Sequence, residues 1–409
     1  MTLDTNETLS LSQIMRPEIR ANPYPFYAQM RSQAPVHWDE TMGFWVLTRY
    51  TDVAFAFGDA RFSRAQGLKQ GFKRLPESDQ QVAEPVYDAF SKMMTYADPP
   101  YHTRLRGLVS KAFTPRMIEH LRPRIQQLVD KLLDAAEAKG QIDVIDELAY
   151  PLPIIVIIEM LGLALEERQH FKEWSDDLFA ILGLVRHSPD LIKKAVQSLS
   201  EMTDHIVALG KERISQPQED LLTGLVTVME AGDRLSEDEL VANIGLILGA
   251  GHETTTNLIG NGLLALLRHP DQMQKLREDP ALAPGAVEEM LRYDNPAQIV
   301  YRSVTEEIEL SGQWIGQGQL VNLIIGAANR DSAQFSDPDR FDITRHEGRQ
   351  LGLGLGIHFC LGAALARLEG ELVFNSLLRR FPAMQLATDT LEWQTHPTFR
   401  GLKALPVAF

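Results

Sequence analysis

The sequence predicts a mainly α-helical protein with a small β-rich part that is built from both ends of the chain. Residues 98–293 carry the apolar spacing of helices, whereas residues 35–50 and much of 294–409 have the pattern of short strands and turns. Because the two β-like regions lie far apart in the chain, we expect them to share one fold. No repeat or long linker interrupts the 409 residues, which predicts a single domain, β-rich over about 20–62 and 294–409 and helical over about 98–293 and after Cys360.

Local signals place the first elements. Two apolar runs within 35–50 flank Asp39–Gly43, a pattern that is typical of a β-hairpin. Thr114 followed by Pro115 predicts the N-cap and the first residue of a helix that runs to Lys139–Gly140.

A long helix is predicted near the middle of the chain. Ser236 and Glu239 form a capping-box pattern before an apolar run, and no proline follows until Pro270. Such a helix would be roughly 45–50 Å long. The stretch 249-GAGHETTTN-257 interrupts its apolar pattern. Small residues there favour either a close helix crossing or a local opening beside a ligand, where a carboxylate and a hydroxyl deliver protons.

The net charge, the cysteine count and the length of the apolar runs exclude several classes of protein. A net charge of −15 argues against DNA or anionic lipid as the main partner. The single cysteine excludes an internal disulfide and a multi-cysteine zinc or iron–sulfur site, and it favours the reducing cytoplasm. The polar N-terminus lacks the signal-peptide pattern, and the apolar run 152–165 contains Glu159 and is too short to span a bilayer, so we expect no membrane span.

That single cysteine stands in 351-LGLGLGIHFCLGAALARLE-369, between a glycine-rich loop and a helical pattern. A cysteine at a helix start faces unpaired N–H groups and the positive end of the helix dipole, both of which favour the thiolate. Cys360 therefore fits a nucleophile assisted by His358, a redox sensor, a metal ligand or a buried structural cysteine. A thiolate that supplies the one protein bond to a metal fits haem iron.

Two of these segments resemble motifs of the cytochrome P450 family. Residues 354–362, GLGIHFCLG, resemble its haem-binding loop, Phe-x-x-Gly-x-His/Arg-x-Cys-x-Gly, with Leu353 where the family most often has Phe. Residues 250–255, AGHETT, resemble its oxygen-activation motif. The resemblance implies the cytochrome P450 fold, a triangular helical prism around a buried haem b whose iron is bound by Cys360.

The same resemblance assigns roles to further residues. It implies that Glu253 and Thr254 are the acid–alcohol pair that delivers protons, and that His252 fills a variable position as a surface or neighbour contact. Residues implied to bind the haem, either through its propionates or by close backbone approach, are His102, Arg106, Arg302, His358, Gly354, Gly356, Gly362 and Ala250. A structural ion-pair network is implied for Glu289, Arg292 and Arg340.

The implied activity is that of a haem-thiolate monooxygenase. Such an enzyme activates dioxygen with two electrons from a ferredoxin or flavodoxin and its NAD(P)H reductase, and it hydroxylates or epoxidises a hydrophobic small molecule. We expect a monomer that binds no nucleic acid. By analogy with the family, the expected substrate pocket includes Leu246, Ala250, Ile299, Val300 and Phe399.

A cationic docking surface for the electron donor is a further hypothesis, drawn from Arg104, Lys111, Arg345, Arg349 and Arg367. Three alternatives to the monooxygenase remain at this point. They are a peroxide-driven peroxygenase of the same fold, a haem sensor or carrier without turnover, and a cysteine hydrolase without haem. The pair Glu253–Thr254 favours the dioxygen route, because peroxygenases of the family tend to lack it and a carrier has no need of it.

Overall fold

The computed structural model describes residues 9–181, 188–229 and 232–409. Helices dominate it, as predicted. They are α1 Pro17–Ala21, α2 Tyr24–Gln33, α3 Tyr50–Gly58, α4 Arg64–Phe72, α5 Glu77–Ser91, α6 Tyr101–Ala112, α7 Pro115–His120, α8 Arg122–Glu137, α9 Pro151–Leu161, α10 Arg168–Ala180, α11 Pro189–Ser215, α12 Leu221–Thr227, α13 Glu237–Arg268, α14 Pro270–Glu278, α15 Ala283–Tyr293, α16 Ile325–Ala328 and α17 Ala363–Arg380. Within the described ranges, no helix combines the length and the apolar character needed to cross a bilayer.

The strands are short. They are β1 Val36–Asp39, β2 Phe44–Leu47, β3 Phe62–Ser63, β4 Gln141–Asp143, β5 Ile299–Val304, β6 Ile308–Leu310, β7 Gln313–Ile315, β8 Leu320–Ile324, β9 Gln385–Leu386 and β10 Pro406–Ala408. Three sheets result, with the strand orders β1-β2-β8-β5-β3, β4-β10-β9 and β6-β7.

The described residues form two compact units. The first unit contains residues 9–66, 126–149 and 254–409 and holds the strands β1 to β10. The second unit contains residues 67–125, 150–181, 188–229 and 232–253 and is built from helices. Helices α4, α8 and α13 continue from one unit into the other.

The main sheet of the first unit joins both ends of the chain. Strands β1 and β2 form the predicted hairpin, in which Asp39 pairs with Phe44 and Gly43 turns the chain at a φ of 68°. Strand β2 then pairs in parallel with β8, which brings Trp45 opposite Val321. The expectation that the two β-like regions share one fold is therefore confirmed. Buried apolar side chains of β1, β2, β5, β8 and α3 form the core beneath this sheet.

One predicted helix is two helices. Thr114 caps α7 as expected, with its hydroxyl oxygen 3.2 Å from the backbone nitrogen of Met117. However, α7 ends at His120 and α8 begins at Arg122, so the prediction of one continuous helix to residues 139–140 is wrong. Pro123 gives the reason, because it has no N–H to donate and it restricts the residue before it.

The long helix α13 is confirmed. Both bonds of its capping box are present: Ser236 N–H donates to Glu239 Oε2 at 2.9 Å, and Glu239 N–H donates to Ser236 Oγ at 3.2 Å. Its 32 residues span about 48 Å. Within the second unit, a methyl group at Gly249 would overlap the ring of Phe179, and one at Gly251 would overlap Ile157. Glycine at these positions therefore lets α10 and α9 approach α13 closely.

Candidate active site

The loop before α17 has a fixed backbone that presents the single cysteine. Gly354 and Gly356 adopt φ values of 72° and 70°, which side chains other than glycine rarely tolerate. A methyl group at Gly356 would also lie 2.9 Å from the carbonyl oxygen of Phe57. The backbone N–H of Cys360 donates to the carbonyl oxygen of Leu353 at 2.9 Å, which closes the loop immediately before α17. Leu353, which stands where the family most often has Phe, has a buried side chain, and its backbone carbonyl oxygen is the acceptor of this bond.

Cys360 is half-buried at the end of this loop. A methyl group at Gly362 would lie 4.0 Å from Sγ, which is an ordinary van der Waals contact. Proximity to the N-terminus of α17 favours the thiolate form. Haem iron takes one thiolate from the protein, and a half-buried thiol presented by this loop fits that need.

Arg302 and the cysteine loop meet at the same residue, Phe57. The guanidinium carbon of Arg302 lies 5.4 Å from the centre of the Phe57 ring, and Arg302 is only 3% exposed. Gly354 and Gly356 approach the ring and the carbonyl oxygen of Phe57 from the loop side. The half-buried His358 belongs to the same loop. The first unit therefore brings Arg302 and the loop that carries His358 and Cys360 to the same residue, Phe57.

The predicted pair of cofactor-binding residues on α6 lies in the second unit. His102 and Arg106 are one helical turn apart on α6, and the His102 ring is buried. Burial lowers the pKa of His102, as does the charge of Arg106, while Asp98 raises it. A neutral imidazole beside a fixed guanidinium can donate a hydrogen bond to an anionic group, and the guanidinium supplies the charge.

Helix α13 has one solvent-exposed residue near its middle. Residues 239–249 are buried, yet Ala250 is exposed, and Gly251, Glu253 and Thr254 are only partly covered. Thr256 is buried and donates to the carbonyl oxygen of Ala149 at 2.9 Å. The polar stretch of α13 therefore contains the predicted close helix crossing at its glycines and an exposed residue at Ala250. The opening beside a ligand stays a prediction.

Glu253 can exchange a proton near neutral pH. Burial raises the pKa of its carboxyl to about 7; the negative charge of Asp176 raises this pKa further, while the ammonium of Lys172 lowers it. A group with a pKa near the working pH is suited to accept and release protons repeatedly. Glu253 and Thr254 are consecutive residues of α13, which places a carboxyl and a hydroxyl on adjacent positions of one helix.

Comparison with known proteins decides the family. The profile of the family described as Cytochrome P450 matches residues 62–398. The chain belongs to the cytochrome P450 family. It is 44% identical over 389 residues to Cytochrome P450 107B1 of Saccharopolyspora erythraea, with 93% of each chain covered. It is 41% identical to the cytochrome P450 monooxygenase PikC of Streptomyces venezuelae, with 95% of this chain and 92% of that one covered.

A solved structure supports the same assignment. The crystal structure of P450BioI in complex with hexadec-9Z-enoic acid ligated acyl carrier protein superposes with a TM-score of 0.89 at 38% identity, covering 96% of this chain and all of that one. The predicted cytochrome P450 fold is confirmed, and the enzyme is a P450 monooxygenase. Membership in the family implies haem iron bound by a cysteine.

The buried ion-pair network of this P450 differs from the prediction in one member. Glu289 and Arg292 pair at 2.7 Å with both side chains 2% exposed, as expected. Arg340 contributes only its carbonyl oxygen, which accepts from Arg292 at 3.0 Å, and its own side chain is 58% exposed. The third charged member is Arg345, whose Nε lies 3.4 Å from Glu289 Oε2 and whose side chain is 8% exposed. The prediction of Arg340 as a network side chain is therefore wrong.

The proposed cationic docking surface loses two members to internal ion pairs. Arg345 is buried in the network just described. Arg104 binds Glu239 at 2.8 Å and also pairs with Asp233, so its charge is already compensated within the second unit. Arg367 pairs with Glu288, and Arg349 lies over the ring of Phe359. Lys111 and Arg349 are exposed, so the docking surface stays a prediction for the members other than Arg104 and Arg345.

The residues expected around the substrate divide between the two units. Leu246 is buried on α13, whereas Ala250 is exposed. Ile299 and Val300 are neighbours on β5 and point to opposite faces of the sheet, so they cannot line the same wall. Val300 shares its face with Arg302 and packs against the core beneath the main sheet. Phe399 lines a cavity of the first unit and lies beside the ring of His396.

Proposed function

We propose that this P450 binds haem b through the thiolate of Cys360 and inserts one oxygen atom of dioxygen into a hydrophobic small molecule. The observation that carries the proposal is the closed glycine loop, which presents a single half-buried thiol at the start of α17. When bound, the haem iron supplies dioxygen binding, reduction and transfer of one oxygen atom to the substrate. Residues of the chain then ligate the iron, neutralise the haem propionates and transfer protons.

Ligation is the task of Cys360. The positive end of α17 favours loss of the thiol proton, and the backbone bond from Cys360 N–H to Leu353 limits movement of the sulfur. We propose that the loop thereby holds the thiolate in one position throughout the reaction.

Neutralising the two propionates is the task that we assign to His102, Arg106, Arg302 and His358. Guanidinium groups bind carboxylates through paired N–H donors, and a neutral histidine donates one further bond. The burial of Arg302 supports this assignment, because a buried cation gains much from an anionic partner. The buried ring of His102 is neutral and supplies a donor to the same partner.

Proton transfer is the task that we assign to Glu253 and Thr254. A carboxyl with a pKa of about 7 can pass a proton inward and regain one from solvent, and the Thr254 hydroxyl can accept and donate within the same step. The electrons would come from a separate ferredoxin or flavodoxin served by an NAD(P)H reductase. The substrate class rests on the apolar character of Leu246, Ala250 and Phe399.

The test starts with Cys360→Ala and the absorption spectrum of the reduced carbon monoxide complex. We expect the strongly red-shifted band of thiolate ligation to be lost. A variant that keeps this band contradicts the ligand assignment. Spin-state shifts on addition of a panel of hydrophobic compounds then identify the substrate class.

Thr254→Ala tests the dioxygen route. We expect it to retain substrate binding but to divert electrons into peroxide or water, so that less product forms per electron consumed. Product yield that is unchanged with reductase and ferredoxin, or activity that depends on added peroxide alone, contradicts the proposal.

A further inference from the structure

Arg64 is a buried arginine of the first unit that lies close to Arg302. It follows strand β3 directly, and the backbone N–H of Gln66 donates to Ser63 Oγ at 2.8 Å, so Ser63 caps the start of α4. Strand β3 pairs with β5, with Ser63 opposite Ser303. The backbone of Arg64 is therefore fixed between a strand and a helix, next to the strand that carries Arg302.

The guanidinium groups of Arg64 and Arg302 converge on one oxygen atom. Nη1 of each arginine donates to the carbonyl oxygen of Tyr301 at 2.9 Å, so the two nitrogens are no more than twice that distance apart. Arg64 lies over the Tyr301 ring, with Cζ 5.0 Å from its centre, whereas Arg302 lies beside Phe57. Because neighbouring residues of a strand point to opposite faces, the two side chains reach this carbonyl from the two faces of the sheet.

The charge and the donors of this arginine pair suit a carboxylate. Arg64 is 8% exposed and Arg302 is 3% exposed, so the protein covers both side chains. Removing a guanidinium from water is costly unless an anion lies beside it, and a second positive charge nearby raises that cost. The carbonyl oxygen accepts hydrogen bonds but has no net charge with which to balance two cations. The planar N–H donors of a guanidinium match the two oxygens of a carboxylate.

We propose that Arg64 is a further cofactor-binding residue, which together with Arg302 holds one propionate of the haem, an inference that rests on the haem binding proposed above. Arg302 is the residue that we assign to a propionate, and the shared contact with Tyr301 brings Arg64 to the same place. A positive charge beside the haem also favours its reduced form, which carries one positive charge less. Arg64 should therefore raise the reduction potential of the iron.

The test measures how fast haem leaves the holoenzyme for an excess of apomyoglobin. Arg64→Gln removes the positive charge but keeps a side-chain amide that can donate to the Tyr301 carbonyl oxygen. It should release haem roughly tenfold faster than the wild type or more, as expected for the loss of one charge-assisted hydrogen bond. Arg64→Lys keeps the charge and should restore most of the retention.

The dimethyl ester of haem separates propionate binding from a structural role, because neither of its propionates carries a charge. Wild type and Arg64→Gln, each reconstituted with this ester, should release it at the same rate. If Arg64→Gln releases haem and the ester faster by the same factor, Arg64 only stabilises the fold around Tyr301 and the proposal is overturned. Haem release at the wild-type rate also overturns it.

Arg61→Gln is the matched control, and the reduction potential is the second measurement. Arg61 stands three residues before Arg64, its side chain is 38% exposed, and it pairs with Asp59 at 2.7 Å. Arg61→Gln should change neither haem release nor the potential. Arg64→Gln should shift the potential to a more negative value, and Arg64→Lys should leave it near that of the wild type. An equal shift in Arg61→Gln would show a general effect of charge and contradict a local contact.

A carboxylate of the substrate is the competing occupant of this site. If Arg64→Gln keeps haem normally but loses the spin-state shifts caused by carboxylic acids and not those caused by their methyl esters, the site belongs to the substrate and the haem assignment is overturned. Cys360→Ala with an intact thiolate band would contradict the proposed iron ligand, yet the difference between haem and its ester at Arg64 would persist. The proposed function and the role of Arg64 therefore fail in different ways.

Discussion

Nε of Arg345 lies 3.4 Å from Oε2 of Glu289, and both side chains are almost completely buried. Arg345 also donates to the carbonyl oxygen of Ser336 at 2.7 Å and pairs with Glu347 at 2.5 Å. These contacts connect α15 to the segment that leads towards the cysteine loop. A buried carboxylate with two guanidinium partners is compensated, whereas loss of one partner leaves charge and hydrogen bonds unsatisfied.

Arg345→Ala should therefore destabilise the enzyme strongly. We expect the free energy of unfolding to fall by about 3 kcal/mol, since breaking a buried pair costs several kcal/mol. Arg340→Ala is the matched control, because its side chain is exposed and its carbonyl contact to Arg292 survives the change; its effect should stay below about 0.5 kcal/mol. Urea unfolding of both variants checks the difference. Equal losses would show that the network does not depend on Arg345.

Gly356→Ala should weaken the cysteine loop in two ways. The new side chain would have to adopt a φ of 70°, which costs about 1–2 kcal/mol, and its methyl group would press against the Phe57 carbonyl oxygen. Gly312→Ala separates these effects, since Gly312 has a φ of 78° and open space around it. We expect a larger stability loss for Gly356→Ala, and a lower ratio of haem to protein for that variant alone. If Gly356→Ala and Gly312→Ala lose the same stability and the same amount of haem, the contact with Phe57 does not contribute to the effect.

Features encoded by neighbouring residues could be predicted from the sequence. The capping box at Ser236, the N-cap at Thr114, the hairpin at Asp39–Gly43 and the single thiol in a glycine loop each depend on residues close together in the chain. The break between α7 and α8 belongs to the same class, because Pro123 marks it.

Partners that lie far apart in the chain could not be predicted in this way. Arg340 and Arg345 stand in one loop, and the fold decides which guanidinium turns inwards, because it places Arg345 beside Ser336 and Glu289. Arg104 is compensated by Asp233 and Glu239 from a distant segment, so its positive charge alone suggested a docking surface. The pKa of Glu253 likewise depends first on burial and then on charges from α10, neither of which a motif indicates.

Glu369→Gln should stabilise the enzyme at neutral pH. Glu369 is buried on α17, its Oε2 has no hydrogen-bond partner in the described residues, and burial raises its pKa to about 8. In the unfolded chain the pKa of a glutamate is about 4.3, so the folded state binds the extra proton between these values and its stability falls as the pH rises through them.

The expected gain from Glu369→Gln is up to about 3 kcal/mol at pH 7, and it should disappear below about pH 4, where the carboxyl is protonated in both states. The exposed Glu307 provides the control: Glu307→Gln should change the free energy of unfolding by less than about 0.5 kcal/mol at either pH. Urea unfolding at the two pH values checks the prediction. A gain that does not vary with pH would mean that Glu369 does not titrate as its burial requires.

Gly249→Ala should destabilise α13 although alanine is the better helix former. Removing a glycine from a helix gains about 1 kcal/mol, but the methyl group would overlap the Phe179 ring, and overpacking of this kind typically costs about 1–3 kcal/mol. Gly71→Ala in α4 has open space and should be neutral or stabilising. In a Phe179→Ala background the overlap is absent, so Gly249→Ala should become neutral or favourable, a coupling that a double-mutant cycle measures.

The same pair of positions bears on substrate choice, because Gly249 directly precedes the exposed Ala250. Displacing Phe179 should change the order in which hydrophobic compounds shift the haem spin state, while Gly71→Ala should leave that order unchanged. If Gly249→Ala keeps the wild-type order and shows no energetic coupling to Phe179, this helix crossing does not shape the pocket.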